Sequence, residues 1–353
     1  MQVHQFYPSL SYDDAISNQI VNIQDILLQL GYRSEIFCEQ QPFLAKRQAK
    51  QFIKYVPYSS PDNILLLHFS RAYSSQIMTN LKKIPDRKIL IYHNITPHTY
   101  FAGVNEIVFE STQMGRKQLK ELATITEAGW GDSQFNCHEL MENGWTNIAV
   151  LPIIFNSKQY VIRPESKILR QYKDKTNILF VGRIAPNKKF EDIILTFYYF
   201  KQIHPTANLI LVGSSKGMEK YLAYLQTLVQ QLKLSDIMFT GHVSGAELVA
   251  YYQSADVYLS MSEHEGFGVP LLESMQFNVP IIAYHNTAIP ETLDGSGILF
   301  KTKNHVAIAE LMAMVIEDKH LQNKITAHQQ QRLPYFFPDN IEVKLQKYLL
   351  KAN

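Results

Sequence analysis

The chain has 353 residues, of which 46% are hydrophobic and 19% charged, and a formal net charge of +2. That length suits two domains of ordinary size, the composition excludes a disordered or fibrous polymer, and the near-neutral charge argues against a nucleic-acid-binding protein. Two cysteines, Cys38 and Cys137, are too few for a disulfide framework and lack zinc-site spacing, which fits a reducing compartment.

The opening Met1-Gln2-Val3-His4-Gln5-Phe6 has no basic stretch and no long apolar run, so no secretory leader is expected. No apolar run reaches the roughly 18 residues of a membrane span. A cytoplasmic location is therefore expected. Ile16, Ile20, Ile23, Leu27 and Leu30 recur at helical spacing, and Gly31 supplies the stop. Lys46, Arg47, Lys50 and Lys54 are expected along one side of a helix. They read either as a solvated face or as a peripheral contact with an anionic membrane surface.

Strand-like runs follow at 64–67, 89–92, 148–151, 178–181, 209–212, 257–259 and 279–282. Nearly all are continuously apolar, as parallel strands covered on both faces must be. They alternate with amphipathic stretches, which predicts an α/β fold with two Rossmann-like, doubly wound domains. The polar stretch 156–176 is the natural boundary. The expected division is an N-terminal domain at 1–156, a linker at 157–176 and a C-terminal domain at 177–330. A final helix at 331–353 is expected to pack back on the first domain. Ligands of open α/β sheets sit beyond the carboxyl ends of the strands, so two such domains facing each other predict a cleft.

Two segments carry the chemistry. After the run 178–181 come Gly182-Arg183-Ile184-Ala185-Pro186-Asn187-Lys188-Lys189. Gly182 permits a sharp exit from the strand. Arg183 offers a planar fork and Lys188 a mobile charge, a pair that suits a diphosphate. After the run 257–259 come Glu263, His264, Glu265, Gly266, Phe267, Gly268, Val269, Pro270, Leu271, Leu272 and Glu273. Pro270 suits the first turn of a helix, whose leading amides attract anions. Glu265 before the helix and Glu273 inside it can touch different parts of one extended ligand, accepting from the hydroxyls of a sugar and a ribose. No strand runs into Gly-x-Gly-x-x-Gly, which disfavours a nicotinamide dehydrogenase.

In these segments the chain resembles the retaining GT-B glycosyltransferases of family four, the glycosyl transferases group 1. Glu265 and Glu273 match that family's Glu-x7-Glu motif, and Gly182-Arg183-Ile184 with Lys188 match its phosphate motif. Leu211-Val212-Gly213, Phe239-Thr240-Gly241-His242-Val243, Ser254-Ala255-Asp256-Val257 and Pro290-Glu291 match around them. The likeness is strong over 177–300 and loose before it. It implies that Glu265 binds the donor sugar, Glu273 the ribose, and Arg183 and Lys188 the diphosphate. It further implies that Gly266, Phe267, Gly268 and Val269 reach sugar and phosphates, and that Val243 and Leu248 contact base or ribose. His93, which ends the run 89–92, is the implied histidine of the N-terminal domain, and it stands with Arg183, Lys188 and Glu265 as catalytic. His98, five residues on, has no carboxylate or cysteine placed with it, so no metal is expected.

Many members carry a Gly-Gly pair after the first strand, whereas this chain has none between Pro8 and Gln19. Asp14, Ala15 and Ser17 open a helix there, and Asp14 and Ser17 are the implied acceptor-side residues. Lys189 replaces a common glycine and reads as neutral. The resemblance implies metal-independent, cofactor-free transfer of a hexose with retention. The donor expected first is UDP-glucose and second GDP-mannose, and the acceptor a glycan or lipid-linked glycan in polysaccharide biosynthesis. The alternatives are a nucleotide-sugar epimerase of the same fold and a non-enzymatic nucleotide-sugar-binding subunit.

Overall fold

The structure, a computed structural model, describes residues 1–11, 14–39 and 49–351. The chain divides into two compact units. The first comprises Met1–His98, Ile107–Asn156 and Tyr335–Asn353, and the second Thr99–Glu106 and Ser157–Pro334.

The first unit is built on β1 (Val3–Phe6), β2 (Ile36–Cys38), β3 (Lys50–Gln51), β4 (Ile64–Phe69), β5 (Arg87–Tyr92), β6 (Ala128–Gly131) and β7 (Ile148–Val150). They form one parallel sheet in the order β3-β2-β1-β4-β5-β6-β7. Its helices are α1 (Ala15–Gln29), α2 (Ser75–Lys83), α3 (Glu106–Ala123, from Ile107 onward) and α4 (Gln134–Glu142). The strand β4 explains why its sequence is continuously apolar. Ile64 and Leu66 pack with Ile23 and Leu27 of α1. Leu65, Leu67 and Phe69 pack with Ile77 and Leu81 of α2 and Leu119 and Leu122 of α3 on the other face. Successive side chains point to opposite faces, and both faces are covered.

The second unit holds β8 (Asn177–Val181), β9 (Asn208–Val212), β10 (Ile237–Gly241), β11 (Val257–Ser260), β12 (Ile281–Tyr284) and β13 (Ile298–Phe300). These too form a parallel sheet, in the order β10-β9-β8-β11-β12-β13. Its helices are α5 (Ser166–Tyr172), α6 (Phe190–Ile203), α7 (Glu219–Gln231), α8 (Gly245–Ser254), α9 (Val269–Gln276), α10 (Ile289–Leu293), α11 (His305–Glu317) and α12 (Lys319–Arg332). Each sheet reverses its strand order once, between β1 and β4 and between β8 and β11. At such switch points the connections leave in opposite directions and open a crevice at the strand ends. The architecture is α/β with two Rossmann-like sheets, as the sequence predicts.

Three expectations change. The stretch 157–176 is no bare linker, since it forms a 3-10 turn at Ser157–Tyr160 and helix α5, both in the second unit. Its polarity comes from one-sided burial: Ile168 and Tyr172 are buried while Lys167, Arg170 and Lys173 are exposed. Residues 99–106 also join the second unit, where Asn105 Nδ2 donates to the Gly217 carbonyl at 2.6 Å. The basic helix face is not formed by its described members, because Lys50 lies in β3 and Lys54 in a 3-10 turn. Lys50 is held by Glu35 at 3.0 Å and by the Tyr58 hydroxyl at 2.9 Å. Lys46 and Arg47 lie outside the described residues.

The last helix, α13 (Pro338–Lys351), belongs to the first unit. Ile341, Leu345 and Leu349, spaced one turn apart, join the core of α1 and β4. Among the described residues no helix is long and apolar enough to cross a membrane.

Candidate functional site

In the second unit the chemistry gathers where β8 and β11 end side by side. Leaving β8, the Gly182 amide donates to the Val212 carbonyl and the Ile184 amide to that of Ser214, so the loop runs along the end of β9. Gly213 makes this approach feasible, with φ +151 and a position where a Cβ would lie 2.0 Å from the Gly182 oxygen. The chain then makes a 3-10 turn at Pro186–Lys188 and enters α6 through Lys189 at φ 53, ψ 53.

That left-handed conformation disfavours any residue with a Cβ by about 1–2 kcal/mol, so Lys189 is not a neutral replacement of glycine. Its ammonium lies 3.5 Å from both Glu191 and Glu263, which offsets part of that cost. Asn187, unremarked in the sequence, joins the two loops. It is buried, its Nδ2 donates to the His264 carbonyl at 3.0 Å, and its carbonyl accepts from the Glu263 amide at 2.8 Å.

The adjacency of β8 and β11 brings Lys188 onto Glu265, 2.5 Å from Nζ to Oε1, with the two side chains 20% and 14% exposed. The Glu265 amide donates to the Thr287 hydroxyl at 2.9 Å, which fixes its backbone. Arg183 turns elsewhere, donating from Nη2 to the Lys216 carbonyl at 3.2 Å. Helix α9 starts after Gly268, whose φ of 97 suits glycine, and Pro270 sits in its first turn. The leading amides of Gly268 and Val269 precede the intrahelical ladder and carry the positive end of the helix dipole.

Glu273, one turn in, is buried and accepts from Tyr160 at 2.6 Å and Tyr252 at 2.6 Å. Leu248 lies one helical turn before Tyr252 on α8, and Val243 just ahead of the Ser244 cap of that helix. Both are half-buried. Glu263 serves as an anchor, held by Lys303 at 2.8 Å and by the Tyr100 hydroxyl at 3.3 Å.

In the first unit the expected histidine, His93, directly follows β5 and joins a polar network that the sequence does not announce. A buried chain crosses four neighbouring strands. Gln5 on β1 meets His68 on β4 (Oε1 to Nε2, 2.9 Å), and His68 meets His93 after β5 (Nδ1 to Nε2, 2.9 Å). His93 meets Asp132 after β6 (Nδ1 to Oδ2, 2.8 Å). The two imidazoles are stacked at an interplanar angle of 6°. The His93 side chain is 1% exposed and both its nitrogens are engaged. The imidazole thus faces Asp132 on one side and His68 on the other. His68 is hidden in the run Ile64-Leu65-Leu66-Leu67-His68-Phe69, and its polarity is the only signal that could have revealed the chain.

Counting protons defines the state of this chain. Gln5 Nε2 donates to the Ile20 carbonyl at 3.0 Å, so its Oε1 faces His68 as an acceptor. The three contacts then need three protons, and Asp132, His93 and His68 together carry three only when their net charge is zero. Burial pushes the Asp132 carboxyl up against the pull of His93, and burial followed by the neighbouring His93 pushes His68 well down. Asp132 Oδ1 is buried without a hydrogen-bond partner, which a neutral carboxyl tolerates better than a carboxylate. A proton on Asp132 donated to His93, with His93 donating to His68, satisfies all three contacts without a buried charge. Asp132→Asn, whose amide supplies the same proton, is expected to keep stability within about 0.5 kcal/mol. Asp132→Ala should lose about 2–3 kcal/mol by leaving His93 Nδ1 unpaired. Denaturant titration checks both, and equal losses would refute the proton count.

Asp14 and Ser17 serve one another. Asp14 caps α1, its Oδ2 accepting from the Ser17 amide at 3.1 Å and hydroxyl at 2.8 Å. Tyr12 and Asp13 lie outside the described residues. His98 packs edge-on against Phe109, with ring centroids 5.0 Å apart. Among the described residues no group of three or more His, Cys, Asp or Glu side chains is placed to hold a metal ion.

Two Rossmann-like sheets, with basic and acidic side chains at the switch point of the second, define the GT-B fold class. Residues 161–332 match the family model described as glycosyl transferases group 1. It is 23% identical over 291 residues to the serotype-specific mannosyltransferase WbdA of Escherichia coli, a match covering 76% of this chain and 34% of WbdA. The chain thus spans about a third of the length of that curated relative.

Among solved structures, sucrose-phosphate synthase from Thermosynechococcus elongatus superposes with a TM-score of 0.78 at 17% identity over 100% of both chains. HepE of Anabaena, in complex with UDP-glucose, superposes with a TM-score of 0.76 at 15% identity, covering 99% of this chain and 100% of HepE. At these identities the two structures establish the fold alone.

Proposed function

We propose that this protein is a retaining, metal-independent hexosyltransferase that uses a nucleoside diphosphate sugar. The observation that carries the reading is the Lys188–Glu265 pair at the β8/β11 switch point, beside Arg183 and the first amides of α9. Lys188, Arg183 and those amides would receive the diphosphate. Glu265, together with the backbone of Gly266 to Val269, would receive the sugar. Glu273 would take the ribose hydroxyls, and Val243 and Leu248 would line the base or ribose. The bond from the anomeric carbon to the diphosphate oxygen breaks, and one from that carbon to the acceptor oxygen forms on the same face. The acceptor proton passes to the departing diphosphate, whose growing charge Arg183, Lys188 and the α9 amides stabilise.

His93, at the exit of β5, would serve the transfer from the first unit, its imidazole oriented by Asp132 and His68. On the acceptor side Asp14 and Ser17 contribute the start of α1. UDP-glucose is the first donor, a choice supported by the ligand of HepE, and a mannosyl donor such as GDP-mannose the second, supported by the activity named for WbdA. The acceptor is a glycan or lipid-linked glycan.

A donor that binds the native fold raises its stability by about 2.7 kcal/mol at a hundredfold excess over Kd. UDP-glucose is therefore expected to raise the melting temperature by roughly 5–10 °C, from about 2–4 °C per kcal/mol. A panel of nucleotide sugars in which none shifts the transition would sink the proposal. Isomerisation of the donor without an acceptor would indicate an epimerase. Tight binding with no transfer to any glycan would indicate a binding subunit.

A further inference from the structure

Glu273 is the most enclosed carboxylate of the second unit's site, and both its oxygens are held by phenols from separate elements. Tyr160 reaches Oε1 from the 3-10 turn Ser157–Tyr160, and Tyr252 reaches Oε2 from α8, each at 2.6 Å. The same two rings grip Phe277, one turn further along. Tyr252 stacks on it at 5.3 Å and 10°, and Tyr160 meets it edge-on at 5.9 Å and 89°. Glu273 and Phe277, four residues apart, lie on one stripe of the helical segment, so the tyrosines clamp that stripe.

We propose that Tyr160 and Tyr252 are positioning residues for nucleotide binding, holding Glu273 oriented and ionised so that it accepts both hydroxyls of a nucleoside diphosphate's ribose. This rests on the assignment of Glu273 to the ribose. A carboxylate offers about four acceptor directions, two on each oxygen. Each tyrosine takes one, which leaves one on each oxygen, and that number matches a vicinal diol. The phenols cannot compete as acids, because burial followed by the charge of Glu273 pushes the Tyr160 and Tyr252 hydroxyls far above their ordinary range.

Charge state follows from the same contacts. Burial pushes the Glu273 carboxyl up, and the two tyrosine hydrogen bonds oppose it. Among the described residues no cation around it does the same. Tyr258 on β11 gives its proton to the Val181 carbonyl. From α12, Gln329 and Gln330 donate to the carbonyls of Val279 and Met275. Lys188 is paired with Glu265. Removing one tyrosine hydroxyl therefore raises the carboxyl further and leaves less of it ionised at a given pH. The ionised fraction returns as pH rises.

The experiment measures the Kd of UDP and of GDP by calorimetry for the wild-type protein, Tyr160→Phe and Tyr252→Phe at pH 6.5, 7.5 and 8.5. Tyr160→Phe is expected to bind the preferred nucleotide roughly tenfold more weakly at pH 6.5, the size of one lost hydrogen bond to a charged group. The ratio of variant to wild-type Kd should shrink as pH rises, which also cancels the titration of the nucleotide itself. Tyr252→Phe should give the same signature through the other oxygen and serves as the readout if Tyr160→Phe fails to fold. A ratio near one, a ratio indifferent to pH, or tighter binding by the variants would overturn the proposal. A folded wild-type protein that binds neither nucleotide would overturn the assignment of the site, and this inference with it.

Discussion

Replacing Gly213 by alanine is expected to remove nucleotide binding and to destabilise the second unit by on the order of 3 kcal/mol or more. An added Cβ would lie 2.0 Å from the Gly182 oxygen, 2.6 Å from its carbon and 3.2 Å from the Arg183 nitrogen. All three are backbone atoms, so no side chain can swing aside. The only relief is to push the Gly182–Arg183 segment off the end of β9, breaking the bonds from Gly182 to Val212 and from Ile184 to Ser214.

The segment that must move is the one that positions Arg183 and, five residues on, Lys188. Stability and binding should therefore fail together. The melting transition of the second unit should fall by about 6–12 °C, at roughly 2–4 °C per kcal/mol. Gly241→Ala provides the control. Its φ is +71, but nothing lies within 4 Å of the new Cβ, so only the left-handed penalty of about 1–2 kcal/mol applies. Similar losses in the two variants would show that the contact with Gly182 is not what requires glycine at 213.

These two glycines also mark how far the sequence carries. Gly182, Gly213 and Gly241 stand out as strand-end glycines in family-like segments, yet only the pairing of β8 with β9 shows that one of them faces a carbonyl at 2.0 Å. The strands at 64–67, 89–92, 178–181 and 209–212 are legible because burial on both faces leaves them continuously apolar. Strand β6, Ala128-Gly129-Trp130-Gly131, is not legible, because its small residues look like a turn. Its glycines are instead demanded by packing, since a Cβ on Gly129 would meet Trp145 at 2.8 Å and one on Gly131 would meet Asn136 at 2.8 Å.

Within the site, residue identity and spacing along the chain point to Arg183, Lys188, Glu265 and Glu273, because the types suit anions and hydroxyls. Contacts across strands are not encoded in spacing. Lys188 and Glu265 stand 77 positions apart, as do Asn187 and His264, and they meet because β8 and β11 are neighbours. Tyr160 lies in a stretch whose polarity reads as linker, and nothing local announces that its hydroxyl reaches Glu273. His93 shows the opposite limit. Its place at a strand end is read correctly, but its surroundings depend on His68 of β4 and Asp132 after β6, on the two strands that flank β5.

Lys188→Ala should lower the rate of sugar transfer by about 10²–10³, the scale set by losing one preorganised group that stabilises developing negative charge. The free protein gives a reason to expect a much smaller effect on stability. Lys188 is partly exposed and its partner Glu265 retains access to solvent, so breaking the pair should cost about 1–2 kcal/mol, below the loss for a fully buried ion pair. Removing Glu265 as well discards the stranded carboxylate. Lys188→Ala/Glu265→Ala should therefore recover stability relative to Lys188→Ala while remaining inactive, a non-additivity that a double-mutant cycle measures directly.

The two readings of the pair separate on this cycle. If Lys188 and Glu265 only brace the loops, the double variant should regain activity along with stability. If Lys188 leaves Glu265 to serve a diphosphate and Glu265 then serves the sugar, activity stays low in all three variants. Steady-state transfer rates set beside melting temperatures make the distinction, and recovery of turnover in the double variant would rule out a direct part for the pair in transfer.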